Sequence, residues 1–287
     1  MKRAVCLNGV LTPEADAKVS VFDRGFVFGD GVFETMRTYG GRVFAFREHV
    51  ERLDASARAV GFSIGVSFAD IERDVVYALR EVHNAESVVR VFVTRGEGPL
   101  TLVPTNDVHP TRVVIVDELR PMPAAMYREG VSVVTDATQP AIPTAKCMSY
   151  LPHQLAVMRA HAMGAHEALL TDNAGRILEG ATSNFFLVKG GELFTAPAER
   201  VLPGITRAHV LSIATRLGIA VHFSPVLRDD ISGGPEAFLT STMREIAPVV
   251  RVDGAVVGNG APGPITRLLH AEFRKGVGLD SNAPPWL

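Results

Sequence analysis

The chain has 287 residues, of which 47% are hydrophobic and 21% are charged, and its formal net charge is -2. This length suits two domains or one large one, and the composition is typical of a folded globular protein. The slight negative charge disfavours general nucleic-acid binding, because phosphates require a basic excess. No apolar run reaches membrane-spanning length, no signal-peptide pattern opens the sequence, and two cysteines make no disulfide framework. We therefore expect a cytoplasmic protein.

Strand and helix patterns alternate through the first part of the chain. Apolar residues at helical spacing predict a helix at 49–60, with Gly61 as its C-cap. Asn8-Gly9 predicts a hairpin turn within the first strand. In chain order the predicted elements are a strand at 4–11, strands at 33–39 and 42–46, helices at 49–60 and 71–82, and strands at 88–94 and 112–116.

A polar, proline-bearing stretch at 117–123 has the character of an interdomain linker. We predict a small N-terminal α/β domain at 1–118, a linker at 119–123 and a larger C-terminal domain at 124–287. Beyond the linker the predicted elements are a strand at 131–136, a helix at 150–163, strands at 167–171, 177–179, 183–188 and 193–195, a helix at about 206–217, and strands at 237–241 and 249–252.

Lys146 is the most informative residue. It stands in the stretch 137–158, where no other Asp, Glu, Lys or Arg occurs. Weakly polar surroundings disfavour the ammonium form and leave the amine available as a nucleophile. Schiff-base chemistry with an aldehyde cofactor requires such an amine. A lysine that snorkels from a half-buried strand explains the same residue, so Lys146 alone leaves both interpretations open.

The segment 201–207, Val-Leu-Pro-Gly-Ile-Thr-Arg, runs directly into a predicted helix. Gly204 permits close backbone approach, and the amides of Ile205 and Thr206 point forward from the helix start. Such an N-terminus suits a phosphate group. An ordinary helix start with a proline-glycine entry has the same sequence features.

Three further polar features are candidates for the same site. The hydroxyl cluster Thr240-Ser241-Thr242 ends a predicted strand, and Arg52 supplies a positive charge. Glu179 follows a turn, where its carboxylate could pair with a protonated ring nitrogen. Arg52 is equally explained as a solvated helix residue and Glu179 as a hairpin-end residue facing water. No histidine pair has zinc-ligand spacing, so no metal site is predicted.

Together, and in this order, these segments resemble the class IV aminotransferases, the fold-type IV pyridoxal-phosphate enzymes. That family includes branched-chain aminotransferases, D-amino acid aminotransferases and aminodeoxychorismate lyase. The matching segments are 22–34, 48–53, 145–151, 167–172, 179–185, 202–207 and 240–249. The resemblance implies an α/β (α+β) fold of two domains with pyridoxal 5'-phosphate between them, the larger domain carrying a pseudo-barrel sheet. It also implies a homodimer in which the partner completes the substrate pocket, with no nucleic-acid or membrane partner.

The resemblance implies roles for the matching residues. Lys146 would hold the cofactor and move the proton during the reaction, and Glu179 would keep the pyridine nitrogen protonated. Leu202 would pack against the ring, and Tyr150 would hydrogen-bond its phenolic oxygen. The predicted cofactor site comprises Arg52, Lys146, Tyr150, Glu179, Leu202, Gly204, Ile205, Thr206, Ser241 and Thr242.

Substrate preference follows from the loop at 94–104. D-amino acid aminotransferases of the bacillus type carry an Arg-x-His carboxylate trap, and Leu100 and Leu102 stand in its place here. Phe33 stands where those enzymes have a tyrosine, and Tyr150 leans toward the branched-chain group. These residues predict amino transfer between a hydrophobic, branched-chain-like amino acid and a 2-oxo acid such as 2-oxoglutarate.

Alternatives remain open at this point. The segments 28–31 and 240–245 look more like the D-amino acid or lyase groups. An atypical D-amino acid aminotransferase would need another carboxylate ligand, for which Arg37, Arg95 and Arg244 are the candidates. Aminodeoxychorismate lyase uses the same cofactor and the same lysine. A catalytically silent protein on this fold is the alternative from another class.

Overall fold

The structure, a computed structural model, describes residues 2–105, 109–231 and 236–279. The chain divides into two compact units. The first comprises Met1–Arg120 with Ala145–Tyr150, and the second comprises Pro121–Thr144 with Leu151–Leu287. The structure differs from the predicted domain bounds at 145–150, which group with the first unit. The predicted outer bounds at 1 and 287 lie outside the described residues.

The first unit is an α/β sandwich of one sheet and two long helices. Its elements are β1 (Ala4–Leu7), β2 (Val10–Thr12), a 3₁₀ turn (Glu14–Asp16), α1 (Arg24–Phe28), β3 (Gly31–Tyr39), β4 (Arg42–Val43), α2 (Phe46–Ala59), α3 (Phe68–Arg80), β5 (Ser87–Thr94) and β6 (Arg112–Glu118). Within the described residues its strands pair in the order β2-β1-β6-β5-β3-β4. Every pairing in this sheet is antiparallel.

Alternation of side chains explains this sheet. In β5, Val89, Val91 and Val93 are fully buried, and they belong to the same apolar cluster as Leu53 of α2 and Ile71 of α3. Because successive strand residues point to opposite faces, the residues between these valines lie on the other face of the sheet. One face therefore carries the core of the unit, and the other is left for different contacts.

The second unit contains the larger sheet. Its elements are α4 (Ala124–Glu129), β7 (Val131–Asp136), α5 (Leu151–Ala162), β8 (Glu167–Thr171), β9 (Arg176–Gly180), β10 (Ser183–Lys189), β11 (Glu192–Thr195), a 3₁₀ turn (Ala198–Arg200), α6 (Ile205–Arg216), β12 (Val221–Phe223), β13 (Val226–Leu227), α7 (Arg228–Ile231), β14 (Glu236–Ser241), β15 (Glu245–Val252), β16 (Ala255–Val256) and α8 (Pro264–Gly276).

A barrel lies at the centre of this unit. In the described part of the chain, β10, β14, β15, β7, β8 and β9 pair in that order, and a further pairing of β9 with β10 closes the circle. All these strands contribute apolar side chains to one buried cluster, which includes Val131, Leu169, Phe185, Leu239 and Ala247. The predicted α/β fold with a pseudo-barrel sheet in its second part is confirmed.

Some elements differ from the sequence prediction. The predicted strand at 42–46 is wrong in its second half, because Phe46 is already the first residue of α2. Its ring packs on Phe68 at 5.2 Å between centroids, a helix-to-helix contact that a short-range strand pattern does not reveal. The prediction also omits α1, α4, α7 and α8, although Pro264 at the start of α8 is a common first helical residue.

The N-terminus of α8 is held by a residue distant in sequence. The N-cap is Gly263, which has no side chain to offer, and buried Glu236 takes its place. Its carboxylate accepts hydrogen bonds from the backbone N–H of Ile265 at 3.0 Å and of Thr266 at 2.7 Å. An anionic acceptor at this end also matches the helix dipole.

No helix in the described residues is long and apolar enough to cross a membrane.

We predict that Glu236→Ala lowers the free energy of unfolding by about 2–3 kcal/mol, because it leaves the first amides of α8 without their buried acceptor. Urea unfolding monitored by circular dichroism measures this change. The control is Glu192→Ala, which removes an exposed carboxylate 2.7 Å from His222 and should cost less than about 1 kcal/mol. Equal losses for the two variants would contradict the assigned capping role.

Candidate active site

The backbone of Lys146 is fixed against the first unit. Its carbonyl accepts a hydrogen bond from the N–H of Phe33 at 3.0 Å, and its own N–H donates to the hydroxyl of Ser56 at 3.0 Å. One residue further, Cys147 forms an antiparallel bridge with Val32. The segment thus lies beside β3 through one isolated bridge and backbone hydrogen bonds, which explains why it groups with this unit. The starting point of the Lys146 side chain is set by β3 and α2.

Two aromatic rings lie close to the amine of Lys146. Its Nζ lies 4.4 Å from the centroid of the Phe33 ring and 5.6 Å from that of Tyr150. The Phe33 ring meets Tyr150 edge-on at 5.5 Å and stacks on Phe92 at 5.7 Å between centroids. The structure therefore brings together Lys146, Phe33 and Tyr150, which the sequence analysis had selected for separate reasons. Phe92 is an addition, visible in the sequence only as an alternating strand residue.

Arg52 of α2 belongs to a buried cluster of charged and polar side chains that joins α2 to β3. Its Nε and Nη2 donate to the two carboxylate oxygens of Glu34, each at 2.7 Å, and Nδ1 of His49 lies 2.7 Å from Oε2 of Glu34. Burial raises the pKa of Glu34, but the charge of Arg52 and the hydrogen bonds from Arg52 and His49 outweigh it and lower the pKa to about 2. The bidentate pair holds the guanidinium plane in one orientation.

Arg52 was predicted from the sequence as a site residue, whereas Glu34 and His49 were not. Both occur in segments that match the family, yet neither was assigned a role. One signal was available, because Glu34 occupies a core-facing position between the apolar residues Val32 and Met36 of β3. A carboxylate at such a position requires a buried partner.

Glu179 is the corresponding carboxylate of the second unit. It lies on β9 with 6% of its surface exposed, directly opposite Asn184 of β10. Its Oε2 accepts hydrogen bonds from Nδ2 of Asn184 at 3.2 Å and from the N–H of Leu202 at 3.1 Å. The predicted residues Glu179 and Leu202 are thus neighbours. Asn184, which also donates to the Leu202 carbonyl at 2.9 Å, is a site residue that the sequence analysis missed.

The start of α6 is closely packed next to this carboxylate. Gly204 is the N-cap, and Ile205 and Thr206 are the first helical residues. A Cβ on Gly204 would lie 1.9 Å from Oδ1 of Asn184, so only glycine fits. Because glycine has no capping side chain, the first amides of the helix are directed at any anion placed there. The donors needed by a phosphate group are therefore present.

The predicted hydroxyl residues Ser241 and Thr242 lie at the turn between β14 and β15. Ser241 pairs across the ladder with Glu245, and its hydroxyl accepts from the N–H of Arg244 at 3.3 Å. On the preceding residue, the buried hydroxyl of Thr240 has no hydrogen-bond partner among the described residues. This turn is beside β10, whose Asn184 is paired with Thr240.

The three arginines predicted as substrate ligands have different surroundings. Arg95 is buried and donates to Asp30 at 2.8 Å and to the carbonyls of Val60 and Gly61. Arg244 lies 2.6 Å from buried Glu167. Arg37 lies on β3 with its guanidinium carbon 4.1 Å from the ring centroid of Tyr39. The first two guanidinium groups are therefore held by protein carboxylates.

The loop that carries Leu100 and Leu102 is held by a buried arginine. Arg24 donates to the carbonyls of Pro99 and Thr101 at 3.1 and 2.8 Å, and to that of Leu102 at 3.1 Å. The side chains of Leu100 and Leu102 are nevertheless exposed, by 65% and 83%. The backbone of the loop is ordered by polar contacts, and its apolar side chains point outward.

Comparison with known proteins relates this arrangement to one family. The amino-transferase class IV family model matches residues 31–252. The chain is 38% identical over 279 residues to a "Putative branched-chain-amino-acid aminotransferase" of Methanocaldococcus jannaschii, covering 94% of this chain and 95% of that relative. It is 30% identical over 275 residues to D-alanine aminotransferase of Bacillus licheniformis, covering 95% and 96%.

A solved structure agrees with these sequence matches. Branched-chain amino acid aminotransferase of Escherichia coli superimposes with a TM-score of 0.90 at 29% identity, covering 99% of this chain and 97% of that one. The similarity therefore extends over the sheet of the first unit and the barrel of the second. The family model and these relatives show that the chain belongs to the class IV aminotransferase family.

Proposed function

We propose that this protein is a pyridoxal 5'-phosphate-dependent transaminase that moves an amino group between a hydrophobic, branched-chain-like amino acid and a 2-oxo acid such as 2-oxoglutarate. The observation that carries the proposal is the amine of Lys146 against the Phe33 and Tyr150 rings, in a chain similar along its length to branched-chain aminotransferases. When bound, the cofactor withdraws electrons from the substrate α-carbon and so makes its proton removable.

Lys146 is the proposed catalytic residue. Its Nζ would hold the cofactor at the aldehyde carbon, and its amine would serve as the base that takes the proton from the substrate α-carbon. This requires a fixed nucleophile that also serves as general base. The hydrogen bonds of the Lys146 backbone to Phe33 and Ser56 support that role, because they limit the range of positions the amine can reach.

Glu179 is the proposed partner of the ring nitrogen of the cofactor. Hydrogen bonds from Asn184 and from the Leu202 amide orient its carboxylate, and its burial strengthens any charge interaction that it makes. A proton held on the ring nitrogen increases the electron withdrawal on which the chemistry depends. Leu202 is proposed to pack against the ring.

The proposed phosphate ligands are an anion cradle and two hydroxyl groups. The amides of Ile205 and Thr206 at the start of α6, with Gly204 as N-cap, supply the directed donors. Ser241 and Thr242 add hydroxyl donors from the β14–β15 turn. Arg52 is the proposed balancing cation, with Glu34 fixing its orientation.

A hydrophobic substrate is supported by the apolar ring of Phe33 beside the amine of Lys146. Phe33 brings an unsubstituted ring to the amine, and neither Leu100 nor Leu102 can clamp a carboxylate. Arg37 is the proposed ligand of the substrate carboxylate, because it lies on β3 with its side chain on the same face as that of Phe33.

A D-amino acid donor is the second candidate. The specific observation in its favour is the similarity to D-alanine aminotransferase over 95% of this chain. Both activities need the same lysine and carboxylate. Which enantiomer of the donor reacts therefore depends on how the donor is oriented when its α-hydrogen faces Nζ of Lys146. Aminodeoxychorismate lyase differs in its products, pyruvate and 4-aminobenzoate, and a product assay identifies it.

We further propose a cytoplasmic homodimer. Several large apolar residues of the first unit are exposed, and a second copy of the chain would cover them: Phe22, Phe26, Leu100, Leu102 and Val103. Exposed large apolar side chains in such number favour association. Both cysteines, Cys6 and Cys147, are free thiols, which suits a reducing compartment.

The reaction of the bound cofactor with single amino donors tests the substrate. We expect L-leucine to convert the purified holoenzyme to the pyridoxamine form, seen as loss of the visible absorption of the bound cofactor, and D-alanine and D-glutamate to leave it unchanged. The reason is that the Phe33 ring beside the amine favours a donor with an apolar side chain. In addition, the loop at 94–104 lacks the bacillus-type Arg-x-His trap for a carboxylate. Conversion by D-amino acids alone would replace the first candidate by the second.

We predict that Lys146→Ala lowers the transamination rate by at least about 10³-fold, because it removes both the nucleophile and the proton carrier. Steady-state kinetics with saturating cofactor measures the loss. Lys189→Ala is the control, since Lys189 is an exposed partner of Asp230, and its rate should be unchanged. An active Lys146→Ala variant would rule out the assigned role.

We predict that Glu179→Gln slows the half-reaction with amino donor at least about tenfold while the protein still binds the cofactor, because a neutral amide does not hold the ring nitrogen protonated. Stopped-flow absorbance measures the rate. Glu192→Gln, at an exposed position on β11, is the matched control. An unchanged rate in Glu179→Gln would show that another group serves the ring nitrogen.

A further inference from the structure

The turn between β14 and β15 is anchored by the side chain of Arg244. Nη1 of Arg244 lies 2.6 Å from Oε2 of Glu167, and Nη2 donates to the hydroxyl of Thr182 at 2.9 Å. The Thr182 hydroxyl in turn donates to Oε2 of Glu167 at 2.5 Å. These three residues, the Arg244 triad, close a hydrogen-bonded ring. A guanidinium with two donors engaged has little freedom to turn toward another ligand.

Glu167 makes the triad costly to disturb. The residue is 1% exposed, and its carboxylate also accepts from the hydroxyl of Ser183 at 3.4 Å and from the N–H of Ala168 at 3.2 Å. Among these described contacts, Arg244 is the cation that balances its charge. Removing one partner of a buried ion pair leaves the other charge uncompensated. The carboxylate therefore holds Arg244 in place.

The Arg244 triad connects two turns at one rim of the barrel. Thr182 lies between β9, which carries Glu179, and β10, which begins with Ser183 and Asn184. Arg244 lies between β14 and β15. Since Asn184 pairs with Thr240, the start of β10 and the end of β14 are at the same rim. Arg244 thus links the turn that carries Thr242 to the turn that follows Glu179.

The backbone of the β14–β15 turn is held as well. The carbonyl of Arg244 accepts a hydrogen bond from the Tyr127 hydroxyl at 3.0 Å. The next residue, Glu245, has a φ of 57°, a left-handed conformation that costs energy for a residue other than glycine. Its carboxylate lies 2.7 Å from Nε2 of His270, which holds it there. Side-chain and backbone contacts thus fix the position of this short turn at several points.

We propose that Arg244 is a positioning residue for the cofactor phosphate, and not a ligand of the substrate carboxylate. Through Glu167 and Thr182 it keeps the turn of Ser241 and Thr242 in register with the strand that carries Glu179. This inference rests on the proposed function, because it assumes that those hydroxyls face the phosphate of pyridoxal phosphate. Loss of the triad loosens the phosphate ligands and leaves the substrate ligands intact.

Arg244→Ala tests the inference in the full-length protein, with Arg251→Ala as the matched control. Arg251 is an exposed arginine on the same strand, β15. Titration of the cofactor-free protein with pyridoxal phosphate should give a dissociation constant raised roughly 10- to 100-fold in Arg244→Ala, the effect of losing hydrogen bonds to a charged group. Affinity for pyridoxal, which lacks the phosphate, should change less than about twofold relative to wild type.

Steady-state kinetics separates the two roles of Arg244. At saturating pyridoxal phosphate, the KM for the amino donor should stay within about threefold of wild type. A KM raised about 100-fold or more, with unchanged affinity for pyridoxal phosphate, is the loss expected for a missing charged ligand and would overturn the inference. Unchanged values for both quantities would overturn it too.

Thr182→Val keeps the test decisive if Arg244→Ala does not fold. Thr182 is exposed, so this substitution removes a hydroxyl without creating a cavity. We expect Thr182→Val to bind pyridoxal phosphate with several-fold weaker affinity than wild type. We also expect the double variant with Arg244→Lys to bind no more weakly than the weaker of its two single variants, because effects within one network are not additive. Independent, additive losses would contradict the triad.

The same titration distinguishes the inference from the proposed function. A wild-type protein that binds pyridoxal phosphate but reacts with no amino donor overturns the proposed reaction alone, and the affinities of the variants still decide the role of Arg244. A wild-type protein that binds no pyridoxal phosphate overturns both.

Discussion

The hydrogen bonds that hold Lys146 beside β3 are the contacts on which the rest of the first unit's site depends. The strand places Phe33 next to the amine on one face and directs Glu34 to the other, where it pairs with Arg52. One alternating strand therefore sets both the aromatic surroundings of the lysine and the orientation of the arginine. Any shift of β3 by one residue would exchange the two faces and destroy both arrangements.

Buried carboxylates organise the second unit in a similar way. Glu179 receives the amide of Leu202 and the side chain of Asn184, Glu167 receives Arg244 and Thr182, and Glu236 receives the first amides of α8. Each is nearly inaccessible to water, so each must be matched by donors, and each has one donor at least 23 residues away along the chain. This matching fixes turns and helix ends more tightly than apolar packing alone, because it is directional.

Two of the three arginines predicted as substrate ligands are recognisable in the sequence, but their partners are not. Arg95 and Arg244 are cations in segments that match the family, and a cation near a predicted pocket suggests a carboxylate ligand. Their partners, Asp30 and Glu167, lie 65 and 77 residues away along the chain. No local pattern connects such pairs, so the sequence identifies the charge but not the group that neutralises it. The same reason explains why Glu34 and His49 were not selected, since the partners of Glu34 lie 15 and 18 residues away on another element.

The order of motifs was sufficient to identify the family by resemblance, because each motif is a local run of residue types. That resemblance implied the α/β architecture and the roles of Lys146, Glu179 and Gly204. Periodicity also located most strands and the helices α2, α3, α5 and α6 to within a few residues. Only the tertiary structure decided that Lys146 belongs with the first unit, that six strands of the described chain close into a barrel, and which carboxylate each buried arginine meets. These outcomes depend on strand pairing and on the need to satisfy buried charges, and both join residues that are distant in sequence.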